Sequence, residues 1–169
     1  GDSREVDIFA EVAKSNPQFA EELAGWKLDG VFTSPPYVGQ IDYHEQHAYA
    51  YELFAIERVD ELEIGPLYKG KGKQAKEEYV AGIATVLNNV AKYVRDDGDF
   101  FLVANDKHGL YPKIAKMAKM DIVREHKRPV LNRTERDRAP YSEIIFHLKD
   151  KHECELELLE TDSRQEWCE

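Results

Sequence analysis

Five consecutive apolar residues, Phe100-Phe101-Leu102-Val103-Ala104, follow directly on a long amphipathic helix pattern. A strand without alternation has no face to offer water, so it belongs inside a sheet covered by helices, as parallel strands are. The helix is read from Tyr79, Val80, Ile83, Val86, Leu87, Val90 and Val94, which form one stripe over residues 76–94. Asp97-Gly98 reads as the turn into the strand. An earlier short apolar run, Leu28-Asp29-Gly30-Val31-Phe32, reads as a second buried strand. Before it, Val6, Phe9, Val12 and Ala13 keep helical spacing, and Phe19, Ala20, Leu23 and Ala24 resume it after Asn16-Pro17. Residues 38–73 form a long insertion, helical over 47–56 and broken at Gly65-Pro66 and Gly70–Lys73. A helix at about 110–119 and strands near 121–127 and 142–149 complete the order. This order predicts an open α/β sheet closed by an antiparallel hairpin.

The chain has 169 residues, enough for one domain with a real core. We read residues 1–149 as that domain and 150–169 as an acidic tail. The formal charge of −10 argues weakly against a nucleic-acid partner, but eight acidic and two basic residues lie in the tail alone. No apolar stretch approaches the ~18 residues of a membrane span, and the charged opening Gly1-Asp2-Ser3-Arg4-Glu5 does not resemble a signal peptide. Cys154 and Cys168 both sit in the tail and make no disulfide framework, which points to a reducing, cytoplasmic setting.

The first strand runs into Thr33-Ser34-Pro35-Pro36-Tyr37. Each proline fixes its own φ and pushes the preceding residue into extended geometry, so the loop is stiff. A stiff loop holds a hydroxyl, a carbonyl and an aromatic ring in fixed relation, which suits a planar group bearing an amine.

A strand followed by Ser34-Pro35-Pro36-Tyr37 resembles motif IV of the S-adenosylmethionine-dependent DNA amino-methyltransferases, whose (S/N/D)-P-P-(Y/F/W) loop holds an extruded base. The element order is similar to the second half of the class I, Rossmann-like methyltransferase fold, which ends in such a hairpin. The resemblance implies that Ser34 Oγ and the Pro35 carbonyl accept from the base amine, with Pro36 completing the loop, while Tyr37 stacks on the base. It implies that Asp2, Ser3 and Thr33 contact the cofactor, because Gly1-Asp2-Ser3 looks like the G-D-(S/A) that follows the third strand of that fold. Serine rather than aspartate at the head of the loop favours cytosine N4 over adenine N6 or tRNA guanine N2 as the target. A non-catalytic partner subunit is the reading from another class.

No glycine-rich cofactor turn occurs in the chain, so the expectation is the C-terminal half of a methyltransferase whose N-terminal half lies in the same or a separate chain. Without that half the strand at 28–32 has an exposed parallel edge. The chain alone is then expected to be inactive, poorly stable and a weak binder of S-adenosylmethionine; micromolar affinity would overturn this.

Candidate DNA contacts are Asp42, Tyr43 and His44 behind the loop, Lys69 and Lys71 in a basic segment, and Arg128, Arg133 and Arg136 between the last two strands. Basic residues of this kind position a duplex through its phosphates. His44-Glu45-Gln46-His47 lacks metal-protease spacing and a third ligand, so no metal is expected.

Overall fold

The computed structural model describes residues 2–129 and 142–151. Its elements are α1 (Ile8–Ser15), α2 (Pro17–Leu23), β1 (Leu28–Thr33), α3 (Tyr43–Gln46), α4 (Ala48–Phe54), α5 (Lys73–Ala91), β2 (Val94–Ala104), α6 (Tyr111–Met117), β3 (Met120–Pro129) and β4 (Ser142–Asp150). Single 3-10 turns occur at Asp60–Leu62 and Leu67–Lys69. The strands form one mixed sheet in the order β1-β2-β4-β3. β1 lies parallel to β2, and β4 is antiparallel to both β2 and β3. The α/β sheet with an antiparallel end is therefore as the sequence predicts. Among the described residues no helix is long and apolar enough to cross a membrane.

The core lies between the sheet and two helices. Tyr79, Val80, Ile83, Ala84 and Leu87 of α5 meet Leu110, Tyr111, Ile114 and Ala115 around α6. Both helices cover Phe100, Leu102 and Ala104 of β2 and Phe146 and Leu148 of β4. Leu102, Ala104 and Ile114 have no exposed surface at all. On β2 the buried residues alternate with half-buried Phe101 and Val103, so the apolar run is covered completely on one face only.

Three further expectations need correction. β1 is not a buried strand: only β2 pairs with it among the described residues, and Phe32 and Leu28, 73% and 49% exposed, lie on the face away from the core that Val31 meets. Asp97-Gly98 is not a turn before the strand but a bulge within β2, where the partner of Leu28 is Val94 and that of Gly30 is Asp99. A side chain at Gly98 would collide with the Val94 side chain and the Arg95 carbonyl, so the bulge requires glycine. α5 lies three residues earlier than its apolar stripe suggests, and Val94 opens β2.

The amino-terminal segment is fastened to α5. Buried Asn89 donates through Nδ2 to the Ser3 carbonyl at 3.2 Å and the Val6 carbonyl at 2.9 Å. The Phe9 ring meets Tyr93 edge-on at 5.2 Å. Asn16 separates the first two helices as expected: its side chain caps α2 through Phe19 N, and Pro17 needs no partner in the first turn.

Candidate active site

The loop leaves β1 at the carboxyl edge of the sheet, beside the end of β2. Register pairs Thr33 with Leu102. Ser34 then donates its hydroxyl proton to the Val103 carbonyl at 3.2 Å. Because that proton is used, both lone pairs of the exposed Oγ remain for an incoming donor. Among the described residues nothing donates to the Pro35 carbonyl. The next carbonyl is engaged: Pro36 accepts from the Tyr79 hydroxyl at 2.8 Å. Tyr79 has only one proton, so Tyr111 donates across the 3.1 Å between the two hydroxyls. The Tyr111 ring stacks on Phe146, with centroids 4.7 Å apart and planes 4° from parallel. Burial pushes the Tyr79 phenol up to about 12 and raises that of Tyr111 as well, so both stay protonated donors.

Tyr37 is held on the other side. Its hydroxyl donates to Glu143 Oε1 at 3.2 Å, and the other Glu143 oxygen pairs with Arg128. The loop therefore spans β1, α5 and β4. Gly39 follows with φ +60°, and a Cβ there would meet the Gly70 carbonyl at 2.5 Å, so the segment holding Lys71 packs against the loop's exit. At the end of β2, Asp106 accepts from the backbone N–H groups of Leu110 and Tyr111. Asn105 donates to the Ser142 carbonyl at 2.9 Å, and among the described residues its buried Oδ1 has no partner.

A cavity of about 590 Å³ opens behind the loop, with Asp2, Ser3, Pro36, His44 and Glu63 in its wall and apolar Ile56 and Ile64 beside them. Asp2 is not the N-cap of α1, a role taken by Asp7. Instead its carboxylate accepts from the Arg4 backbone at 2.9 Å and from the Arg4 guanidinium, which holds it below the usual carboxylate range. Thr33 stays within β1 and does not line this cavity.

The candidate DNA contacts divide. Asp42 caps α3, accepting from Glu45 N, and Tyr43 donates its backbone N–H to Glu63 Oε1 at 2.8 Å. His44 turns inward to the cavity and stacks obliquely on Tyr51 at 5.2 Å. Lys69 pairs with Glu78 at 3.2 Å. Lys71 and Lys76 stand close enough to His108 to help hold its pKa below the ordinary histidine value, although burial contributes most. Arg128 belongs to the Tyr37–Glu143 chain, whereas Arg133, Arg136 and both cysteines lie outside the described residues.

Sequence reasoning treats Tyr79 as one more apolar position of α5 and passes over Tyr111, Glu143 and Asn89. Nothing in the sequence marks Asn89, which lies off the apolar stripe and beside a second asparagine, Asn88, yet is buried in the carboxyl-terminal turns of that helix. The others become visible only when the sheet brings α5, α6 and β4 to the end of β1.

A parallel β1–β2 pair, an antiparallel terminal pair and a Ser-Pro-Pro-Tyr loop at the carboxyl edge define the class: a methyltransferase-like α/β fold resembling that of the DNA methyltransferases. More particularly, the chain is 59% identical over 149 residues to Type II methyltransferase M.MjaII of Methanocaldococcus jannaschii. That similarity covers 88% of this chain and 28% of the relative. No family model matches the chain. No solved structure matches it either.

Proposed function

We propose that this chain carries the target-base portion of a DNA methyltransferase that methylates an exocyclic amine, cytosine N4 in preference to adenine N6. The single observation that carries the reading is the state of the loop's acceptors. Ser34 Oγ has spent its proton on Val103, the Pro35 carbonyl has no donor among the described residues, and Pro36 and Tyr37 are tethered on either side of them. Two adjacent acceptors on a rigid support suit an NH2 group. They favour a pyramidal nitrogen whose lone pair is withdrawn from the ring, and they stabilise the positive charge that develops there. Tyr37 offers a ring for stacking, worth about 1–3 kcal/mol per base. A base inside a duplex reaches such a loop only after extrusion.

S-adenosylmethionine, when bound, supplies an electrophilic methyl group on a sulfonium. The cavity behind the loop fits its nucleoside end: Asp2 and Ser3 contribute polar atoms, and Pro36, Ile56 and Ile64 contribute apolar wall. Its glycine-rich turn is not among these residues. Lys71 lies beside the loop's exit and suits a DNA phosphate, a sequence-independent contribution that weakens with salt.

The test is methyl transfer to duplex DNA by the protein reconstituted with the strands that complete its sheet. Product nucleosides separate N4-methylcytosine from N6-methyladenine. Ser34→Ala is expected to lower kcat by about 100- to 1000-fold, as loss of one preorganised polar group does elsewhere. Tyr37→Ala is expected to weaken base capture. Wild-type rates in both variants would overturn the assignment.

A further inference from the structure

Among the described residues three buried side-chain atoms lack a hydrogen-bond partner: His44 Nδ1, Glu63 Oε2 and Asn105 Oδ1. Buried polar atoms are nearly always paired, so an orphan marks a place where a partner arrives from outside the chain. Glu63 is the most telling, because a carboxylate oxygen without a donor carries the largest penalty of the three. Its other oxygen is engaged by Tyr43 N at 2.8 Å, which fixes the orientation of the group.

The nearby cations are already used. Glu63 forms the wall between the 590 Å³ cavity and a smaller one of about 320 Å³, whose lining includes Arg4 and Lys69. Arg4 is bound to Asp2, and Lys69 to Glu78. Among the described residues the larger cavity has Asp2, Glu57 and Glu63 in its wall and neither lysine nor arginine; Arg4, outside that wall, offsets Asp2 and leaves the two glutamates as its net charge. A cavity with that balance accepts a donor-bearing, positively charged ligand and disfavours the same ligand once the charge is gone.

We propose that Glu63 is a ligand-contacting carboxylate, receiving on Oε2 one N–H or O–H of S-adenosylmethionine. This rests on the methyltransferase reading and extends it to a residue outside the loop. Two consequences follow. The cavity retains the sulfonium form more strongly than the thioether left after methyl transfer. Occupancy is also linked to the loop, because the same carboxylate holds the start of α3, which carries His44 on towards the cavity.

The experiment is a nuclear magnetic resonance titration of the whole chain with millimolar S-adenosylmethionine, S-adenosylhomocysteine, adenosine and methionine. It reads backbone amides and the side-chain carboxyl of Glu63. S-adenosylmethionine is expected to move the Glu63 carboxyl and the amides of Asp2 and Ser3, with S-adenosylhomocysteine weaker. Whichever of adenosine and methionine moves the carboxyl alone identifies the half that bears the donor. Glu63→Gln is expected to weaken binding about tenfold or more, the scale of one charge-assisted hydrogen bond, with amides remote from the cavity unchanged. Equal shifts at Asp2 and Ser3 in wild type and Glu63→Gln would overturn the role of Glu63 and leave the methyltransferase reading intact. An unmoved Glu63 carboxyl in the wild type would overturn it without recourse to a variant. The methyltransferase reading is decided separately by the Ser34 and Tyr37 variants.

Discussion

The two sides of this sheet are finished to different degrees. Around β2, β4 and α5–α6 the apolar residues close on one another, and Phe146 and Leu148 of β4 are 1% exposed. At β1, three strands away from β3, Phe32 and Leu28 face outward and Trp26 is 69% exposed. The loop bearing Ser34 to Tyr37 hangs from the less finished side, yet its hydrogen bonds run to the finished one: to Val103, Tyr79 and Glu143. The contrast teaches how the site is stabilised. Its geometry is set by α5, β2 and β4, and does not depend on burial of the strand that leads into it.

The sharpest way to break that contrast is to damage the finished side. Phe146→Ala removes a ring that is fully buried and stacked under Tyr111. Truncation of such a residue costs about 3–5 kcal/mol. Urea denaturation of the variant is expected to show that loss, together with displacement of the loop, because Tyr111 would no longer be fixed beneath Tyr79. Full retention of stability would mean that the core does not lie where the sheet puts it.

A smaller effect separates loop support from core packing. Tyr79→Phe keeps the ring and removes the donor to Pro36, leaving that carbonyl and the Tyr111 hydroxyl without their bonds. The expected cost is about 1–3 kcal/mol in urea unfolding. The reconstituted protein is expected to lose kcat more than KM, since the loop would remain but drift. Unchanged kcat would show that the loop's own prolines suffice.

The same pair of phenols gives a pH signature. The folded Tyr79 phenol, at about 12, lies above the ~10 of an unfolded tyrosine, and that of Tyr111 is raised too. The stabilisation is complete below about pH 10 and is lost as pH rises through the folded values, because the unfolded chain releases these protons first. Thermal midpoints are expected to fall above pH 10 in the wild type and to fall less in Tyr79→Phe. Identical alkaline slopes would remove the tyrosine pair from the account.

How legible this was depends on the range of the interactions. The α5 stripe, three residues late, the strand at Phe100–Ala104, covered fully on one face only, and the Asn16-Pro17 break are local, and each is readable from spacing or backbone chemistry. The resemblance carried by Ser34–Tyr37 is also local, and the relative at 59% identity agrees with it. Four features are not readable because they depend on neighbours distant in sequence. The Asp97-Gly98 bulge exists because β1 pairs on both sides of it. The polar role of Tyr79 needs Pro36, 43 residues away, and Glu143 meets Tyr37 across 106 residues. His44 reads as a surface contact because its own segment is polar; Asp2, Ser3 and Glu63 close the cavity it faces.

The smallest expected effect is the one that sharpens the contrast most. Phe32→Ser changes a large apolar residue for a small polar one, which in a buried strand would cost several kcal/mol. Here the side chain lies on an open face and its surface is already wet, so the expected change in stability of the chain is within about 0.5 kcal/mol. The polar residue also interrupts an exposed apolar face, so self-association measured by sedimentation is expected to decrease. Reconstitution with the part that completes the fold reverses the expectation if that part lays a layer over this face of β1, which would cover position 32 and make the same substitution costly. A large loss in the chain by itself would mean that Phe32 is covered there already, and the two sides of the sheet would not differ as described.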